Sequence, residues 1–386
     1  MTDDDSAGAC FSDEEVSNVR KSLNEASVIP TLCYRDEDYH RKEVEQVLMR
    51  SWLPVGRKDQ LTDAGDYFTR NLFGESVVIV KGADKKIRAL SNVCRHRATQ
   101  VLDDGAGNRK LFTCPYHRWT YDLDGRLRGA PHMDEAEGFD RKSCRLPEFR
   151  METWNGFMFV NFDPNAAPLT PELKPLTRAL APYGLEVLET IPFKTLPCNW
   201  NWKASMENFT EAYHHIGIHK DTVEPFMPAE KARYEDSNNA YSLFWMPTTD
   251  NKPMPSSLPA MPGLPDEYYY SKAVANVYPF LHLLIGGEIV LWLDFNVQSV
   301  DRHELVWHLL LPATTLELPD VEERLKPWKE RIEEIITQDI YACSKARTGQ
   351  QSRFYTPGRF SYMEKSVYQM HNWLVDAMNR TGSITR

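Results

Sequence analysis

Along the first half of the chain the apolar positions come in short bursts, not in long periodic stretches. Tyr67–Leu72, Ser76–Val80, Ile87–Leu90, Trp119–Leu123 and Phe157–Asn161 are brief runs rich in β-branched and aromatic residues, which is what strands favour. Asp124-Gly125, directly after Tyr121–Leu123, is a hairpin turn signal. The pattern predicts a compact all-β unit over 46–162. A polar, partly helical lead-in over 1–45 precedes it and is expected to pack on the second domain. Asp163–Pro175 holds four prolines and reads as a linker. Beyond it the periods lengthen: apolar runs at Val277–Leu284, Glu288–Asn296 and Leu305–Leu310 mix with helical stretches near Lys203–Ile216 and Glu322–Arg347. The fold class is therefore α+β, with residues 163–386 forming an antiparallel sheet covered by helices. Asn251–Asp266, with five prolines, is an irregular loop of a length that suits either a pocket mouth or a passive surface excursion.

Composition narrows this only slightly. A chain of 386 residues, 42% hydrophobic and 26% charged, can build more than one core. Its longest apolar runs, Phe280–Ile285 and Ile289–Leu293, are too short to span a bilayer. The acidic Met1–Glu15 stretch lacks the apolar segment of a secretory signal, so a cytoplasmic location is expected, with no membrane partner. A net charge of −10 without basic blocks disfavours a nucleic-acid partner. Seven cysteines do not suggest a disulfide framework here; Cys10, Cys33, Cys144, Cys198 and Cys343 read as plain thiols.

The other two cysteines carry chemistry. Cys94-Arg95-His96 is followed, seventeen residues on, by Cys114-Pro115-Tyr116-His117. Each half offers one thiolate and one imidazole from a tight loop. A Rieske-type [2Fe–2S] cluster needs this set, two cysteines on one iron and two histidines on the other, because neutral imidazoles reduce the cluster's negative charge and raise its potential. A structural Cys₂His₂ zinc site is the alternative, although zinc modules usually place both cysteines before both histidines. Colour separates the two, since only the cluster absorbs visible light.

A second constellation lies in Glu207-Asn208-Phe209-Thr210-Glu211-Ala212-Tyr213-His214-His215-Ile216-Gly217-Ile218-His219. On an unbroken α-helix His214 and His219 would point about 140° apart. Gly217 between them allows the helix to unwind or widen into a π-turn, after which both can face one ion. A carboxylate must complete the site. Asp339 falls on the apolar stripe Trp328, Ile332, Ile335, Ala342, Cys343 and Ala346, where a charge needs a partner or a metal. Glu333, Glu334 and Asp294 are the alternatives. Two imidazoles and one carboxylate leave iron positions open for O₂ and substrate. His215 reads as a packing or surface residue, and His40, His132, His282, His303, His308 and His371 have no partner spacing. No G-x-G-x-x-G nucleotide fingerprint is present. Phe226, Phe244, Trp245, Tyr278, Phe280, Leu283, Trp292 and Phe295 are candidate pocket residues, suited to an aromatic or alicyclic ring or, through cation–π attraction, to a quaternary ammonium.

The C-x-H-x₁₇-C-x₂-H pair, the Asn201-Trp202-Lys203…Glu207-Asn208-Phe209…Glu211-x-x-His214-x₄-His219 segment and Asp339 ten residues before Gly349 together resemble the α-subunits of Rieske non-haem iron ring-hydroxylating oxygenases. The resemblance runs from Trp52 through the helix after Asp339. It implies a [2Fe–2S] cluster on Cys94, His96, Cys114 and His117, a mononuclear Fe²⁺ on His214, His219 and Asp339, and roles in catalysis for Glu211 and Asn208. It further implies head-to-tail homotrimers, with or without a small β-subunit, in which Glu211 links His117 of the partner subunit to His214. Electrons come from a separate reductase or ferredoxin, O₂ is consumed, and a small molecule is hydroxylated. Glutamate at position 211, where the familiar dioxygenases carry aspartate, is similar to quaternary-amine members such as carnitine and glycine-betaine oxygenases, which keeps N-demethylation of a quaternary-ammonium compound open beside ring hydroxylation. A Rieske electron carrier without oxygenase chemistry is the remaining alternative, and it would leave about 220 residues unexplained.

Overall fold

A computed structural model describes residues 11–237, 240–252 and 254–379; Cys10 lies outside them, and the other six cysteines are unpaired. The chain forms two compact units. One is contiguous, Trp52–Ala167; the other joins Met1–Ser51 to Pro168–Arg386. The boundary thus falls inside the proline-rich Asp163–Pro175 segment, whose later part winds into a helical turn at Leu169–Glu172. No helix among the described residues is long and apolar enough to cross a membrane.

The contiguous unit contains β1 (Leu53–Arg57), β2 (Asp66–Leu72), β3 (Glu75–Lys81), β4 (Ile87–Ser91), β5 (Ala106–Asn108), β6 (Phe112–Thr113), β7 (Thr120–Tyr121), β8 (Leu127–Gly129), β9 (Glu148–Trp154) and β10 (Phe157–Asn161). Among the described residues they make an antiparallel sheet in the order β1-β10-β9-β4-β3-β2-β5 and a small sheet β6-β7-β8. Tyr67, Val78, Val80, Leu90, Phe112 and Tyr121 fill the core beneath the small sheet. The expected strand Trp119–Leu123 is only two residues long. Trp119 belongs to the preceding loop, where its carbonyl accepts the Cys114 N–H. Gly125 takes the left-handed conformation that the Asp124-Gly125 turn requires (φ 84°).

The discontinuous unit is built on a second antiparallel sheet, ordered β11-β17-β16-β15-β14-β13-β12. Its strands are β11 (Glu189–Cys198), β12 (Arg233–Tyr234), β13 (Tyr241–Pro247), β14 (Ser271–Val277), β15 (Leu281–Ile285), β16 (Val290–Ser299) and β17 (Arg302–Leu311). The run expected as one strand, Val277–Leu284, is two. Pro279 has no N–H to continue a ladder, so β14 stops at Val277 and β15 restarts at Leu281. Pro192 and Pro197 sit on β11, where an edge strand tolerates them.

Strand pairing sorts the apolar residues into rows. Phe244, Val274, Leu284, Leu291 and Leu309 are successive cross-strand partners on one face, while Leu243, Ala275, Leu283, Trp292 and His308 form the next row on the other. Helix Lys365–Met378 packs against β13, and helix Trp202–Phe209 against the 30-residue helix Val321–Gln350. The helical cover over an antiparallel sheet agrees with the α+β expectation.

One ion pair anchors the lead-in. Glu43, on helix Glu37–Gln46, and Lys203, in the first turn of Trp202–Phe209, are both fully buried with 2.7 Å between Oε1 and Nζ. Trp202 Nε1 also donates to Glu43, and the rings of Trp202, Tyr39 and Tyr34 surround the ammonium. Burial raises the cost of the Glu43 charge, but Lys203 and His40 together more than offset it and hold the carboxyl below its ordinary value. Removing one partner strands the other in a dry core, so Glu43→Ala should destabilise this unit by about 3–5 kcal/mol. Replacing both by apolar residues, Glu43→Leu with Lys203→Met, should cost much less. Urea unfolding of the two variants checks the difference.

Candidate metal centres

In the β-unit, two loops of the same design stand side by side. In each, the cysteine carbonyl accepts from the residue four positions on, Ala98 N–H to Cys94 and Arg118 N–H to Cys114. Each cysteine N–H in turn donates to the residue five positions on, Thr99 and Trp119. Ala98 and Arg118 both take positive φ, 55° and 63°, which is uncommon for non-glycine residues and tightens each loop. The result brings Cys94 against Cys114 and sets the His96 and His117 rings 4.6 Å apart. Trp119 stacks on His96 at 4.8 Å, and the Tyr121 hydroxyl contacts Cys94 Sγ at 3.3 Å while accepting the Arg95 N–H.

Burial pushes the Cys94 thiol pKa up. Desolvation, with the charges of His96 and Arg97, pushes His117 down. His96 Nδ1 is buried without a hydrogen-bond partner. A buried orphan nitrogen beside two buried sulfurs is what a metal group relieves, so these residues fit a [2Fe–2S] cluster. A single zinc fits less well. Among the described residues only His214, His219 and Asp339 gather three ligand atoms round one point, whereas four residues shared between two irons need not do so.

The second centre begins at helix Trp202–Phe209, capped by Asn201, whose side chain accepts the Lys203 N–H. The helix does not continue to Ile216 as its sequence suggested. It ends at Phe209, and the chain re-forms as a 3₁₀ turn over Tyr213–Ile216 with Gly217 outside helical dihedrals (φ −100°, ψ −82°). The break is therefore an early stop and a tightened turn in place of the expected π-turn. It serves the same end. The His214 and His219 rings lie 5.0 Å apart.

Asp339 arrives from the buried stripe of helix Val321–Gln350, with Leu325, Ile332, Ile336 and Cys343. Its Oδ1 is 3.0 Å from His219 Nε2 and 3.8 Å from His214 Nε2, and accepts from Asn208 Nδ2 at 2.9 Å. The three would-be ligand atoms lie within 4.8 Å of one another. Each imidazole is gripped at its far nitrogen: His214 Nδ1 by Glu211 at 2.6 Å, and His219 Nδ1 by Gln338 at 2.6 Å. Such outer contacts fix ring orientation and tautomer, leaving both Nε2 atoms turned inward. Burial lowers the His214 pKa, yet Glu211, assisted by Asp339, outweighs it and the net shift is upward. The donor set, two imidazoles and a carboxylate, fits a ferrous ion.

The alternatives to Asp339 stand elsewhere. Glu333 is exposed and pairs with Lys194, Glu334 is exposed, and Asp294 shares the sheet face of Trp292. His215 is buried, lines the same cleft as His214 and His219, and has a pKa that burial drives far down. The triad opens on a cleft of about 610 Å³ walled by Phe209, Phe244, Met246, Val274, Leu284, Leu291 and Trp307. Of the candidate pocket residues only Phe244 lines it. Tyr278, Phe280, Leu283, Trp292 and Phe295 are buried core, and Trp245 packs on Tyr268. Strand alternation explains three of the misses: Phe244, Leu284 and Leu291 face the cleft, while Trp245, Leu283 and Trp292, each one residue away, face the other side. Gln338 and Lys272 were also missed. Neither has a spacing signature, and only the fold brings them to the site.

Two loops bearing Cys94, His96, Cys114 and His117 and, in the other unit, an inward-facing His₂-carboxylate set beneath a helix-covered sheet define a protein with two candidate metal centres. A Rieske [2Fe–2S] domain model matches residues 51–150, and the model of the ring hydroxylating alpha subunit (catalytic domain) matches 185–380, about half of the chain. The chain belongs to this family of Rieske non-haem iron oxygenase α-subunits, and carries its [2Fe–2S] domain and its mononuclear-iron catalytic domain. It is 37% identical over 199 residues to the carnitine monooxygenase oxygenase subunit of Escherichia coli K12, covering 49% of this chain and 51% of that one. It is 38% identical over 204 residues to the benzene 1,2-dioxygenase α-subunit of Pseudomonas putida, covering 50% and 44%. The chain thus spans about half the length of the curated relatives it matches. A crystal structure of a quaternary ammonium Rieske monooxygenase shares the fold, with a TM-score of 0.81 at 22% identity over 97% of this chain and 100% of that one. Naphthalene 1,2-dioxygenase does so at 0.76 and 20% identity, over 94% and 95%.

Releasing His219 Nδ1 should loosen the mononuclear site alone. Gln338→Ala is expected to weaken ferrous iron binding about 10–100-fold, read as iron retained against a competing chelator, with the visible spectrum of the cluster unchanged.

Proposed function

We propose that the protein is the oxygenase component of a multicomponent system that uses O₂ and externally supplied electrons to hydroxylate a small molecule in the cleft beside His214, His219 and Asp339. The observation that carries this is the pair of imidazoles with Nε2 turned toward one buried carboxylate oxygen and Nδ1 held from outside. An unassisted histidine pair has no need of that arrangement, and a metal does. Bound by these three side chains, a ferrous ion would supply the activation of O₂.

The chain's own residues do the rest. Glu211 and Gln338 orient the rings, and Asn208 donates to Asp339 and holds its carboxylate in place. Phe209, Phe244 and Trp307 give the cleft rigid apolar walls that exclude water from the reacting substrate. Cys94, His96, Cys114 and His117 would hold the [2Fe–2S] cluster, which would supply the site of entry for electrons delivered singly by a separate reductase or ferredoxin.

The assembly that fits this reading is a head-to-tail homotrimer in which His117 of the partner subunit hydrogen-bonds Glu211. Tyr213 and Ile216, beside Glu211, and Tyr116, beside His117, are exposed apolar side chains of the kind that interfaces cover. A cytoplasmic setting suits a supply of reducing partners. Hydroxylation of an aromatic or alicyclic ring is the first reading of the substrate. N-demethylation of a quaternary-ammonium compound is the second, favoured by Glu211 and by three aromatic rings round one cleft.

Asp339→Ala removes the carboxylate and leaves both histidines. The variant should lose mononuclear iron and all product formation, with kcat down at least about 10³-fold, a loss of about 4 kcal/mol in transition-state stabilisation, while keeping the cluster spectrum. Full turnover by an Asp339→Ala protein containing two irons per chain would refute the assignment.

A further inference from the structure

The cleft wall contributed by the sheet is apolar except at one point. Among the residues that the sheet sends into it, Phe244, Met246, Val274, Leu284, Leu291 and Trp307 carry no charge, and Lys272 carries one. Lys272 lies on β14 opposite Met246, on the same face as Val274 and Phe244, so strand alternation aims it inward. The end of its stem lies beside Gly286, with Cε within van der Waals reach of the point where a Cβ would stand there.

A second cleft of about 660 Å³ shares Met227, Met254, Lys272, Leu284, Leu291 and Ile332 with the first. Lys272 therefore stands at their junction. The second cleft adds Arg331, whose guanidinium donates to the Pro255 carbonyl, and Glu288, whose carboxylate accepts from the Tyr269 hydroxyl. Among the described residues no carboxylate lies within ion-pair distance of the Lys272 ammonium, and none pairs with Arg331. Two cations thus face one carboxylate that already has a hydrogen-bond donor. Burial and Arg331 both work to lower the lysine's pKa, and Glu288 offsets them only in part. A part-buried ammonium whose acid neighbour, Glu288, stands beyond ion-pair distance and already accepts from Tyr269 is under-compensated, a cost that an incoming anion relieves.

We propose that Lys272, assisted by Arg331, is the specificity determinant of this cleft and binds a carboxylate group at the end of the substrate remote from His214, His219 and Asp339, so that an apolar or methylated end faces the triad. The substrate class is then an organic acid, either an aromatic acid or a zwitterion bearing both carboxylate and trimethylammonium. Plain hydrocarbons and simple ammonium cations are excluded, because they leave Lys272 unpaired or repelled. This rests on the oxygenase reading only in taking the cleft beside the triad as the substrate site.

Matched probes test it in the iron- and cluster-loaded protein. Equilibrium binding by calorimetry would compare 3-phenylpropionate with propylbenzene, and 4-(trimethylammonio)butanoate with butyltrimethylammonium. At least one acid should bind more tightly than its uncharged or cationic counterpart. Lys272→Met should raise that acid's Kd about tenfold or more, the effect of deleting one partner of a desolvated pair, and leave the counterpart unchanged. Lys272→Arg should restore most of the affinity, and Arg331→Gln, at the rim of the fold, should show a smaller loss in the same direction. Failure of both acids to bind, tighter binding of the counterparts, or indifference of the acid to both substitutions would overturn the proposal. Reductase-coupled O₂ uptake separates the two readings. Acid binding that depends on Lys272 without any stimulated uptake upholds the anion site and sinks the oxygenase, whereas uptake stimulated by propylbenzene and indifferent to Lys272 does the reverse.

Discussion

A carboxylate in a dry interior constrains everything around it. Asp339 is buried on the inner stripe of a 30-residue helix, where an unpaired charge would cost several kcal/mol. It is tolerable only if the helix lies against the segment that carries Asn208, His214 and His219. Those residues in turn reach Asp339 only because the preceding helix stops at Phe209 and a tight turn brings both rings round. Glu211 and Gln338, clasping the rings from behind, restrict the histidines to one orientation each. The result is a set of donors whose orientations are fixed by hydrogen bonds of their own, so that holding a metal would spend little on reordering side chains.

The β-unit solves a related problem by repetition. Two chemically different loops, Cys94–Thr99 and Cys114–Trp119, close with the same pair of backbone hydrogen bonds and the same left-handed residue four positions after the cysteine. The packing that supports them is asymmetric. Trp119 stacks on His96, while Tyr116 leans on His117 at the surface. His96 is thereby backed by a buried ring and His117 by an exposed one.

Much of this could be read from the residues alone, and the reasons for success and failure are physical. The cluster loops were legible because metal ligands impose fixed spacing on a short stretch of chain. Asp339 was legible because a charge on an apolar stripe conflicts with its surroundings. The extent of the Trp202–Phe209 helix was not, since the apolar period continues past the point where Thr210 and Glu211 leave helical geometry. The cleft lining was misread for a sharper reason. Largely apolar runs such as Leu281–Ile285 and Val290–Phe295 bury both faces, and nothing in such a run says which alternate residues face the cavity. Gln338 and Lys272 depend on tertiary contacts, 119 positions away in the bond between Gln338 and His219 and 26 in the pairing of Lys272 with Met246, and no local pattern encodes those.

The buried Glu43–Lys203 pair has a bearing on how the molecule is made. The unit that holds the His₂-carboxylate site is discontinuous, with the β-unit inserted between its two pieces. A ribosome delivers Glu43 about 160 residues ahead of the lysine that neutralises it, and the inserted unit, being contiguous, can complete itself in the interval. The amino-terminal helices must therefore wait, unclosed, for the second half of the chain. The iron site, whose carboxylate comes from Asp339, cannot be complete until that late part of the chain has been made.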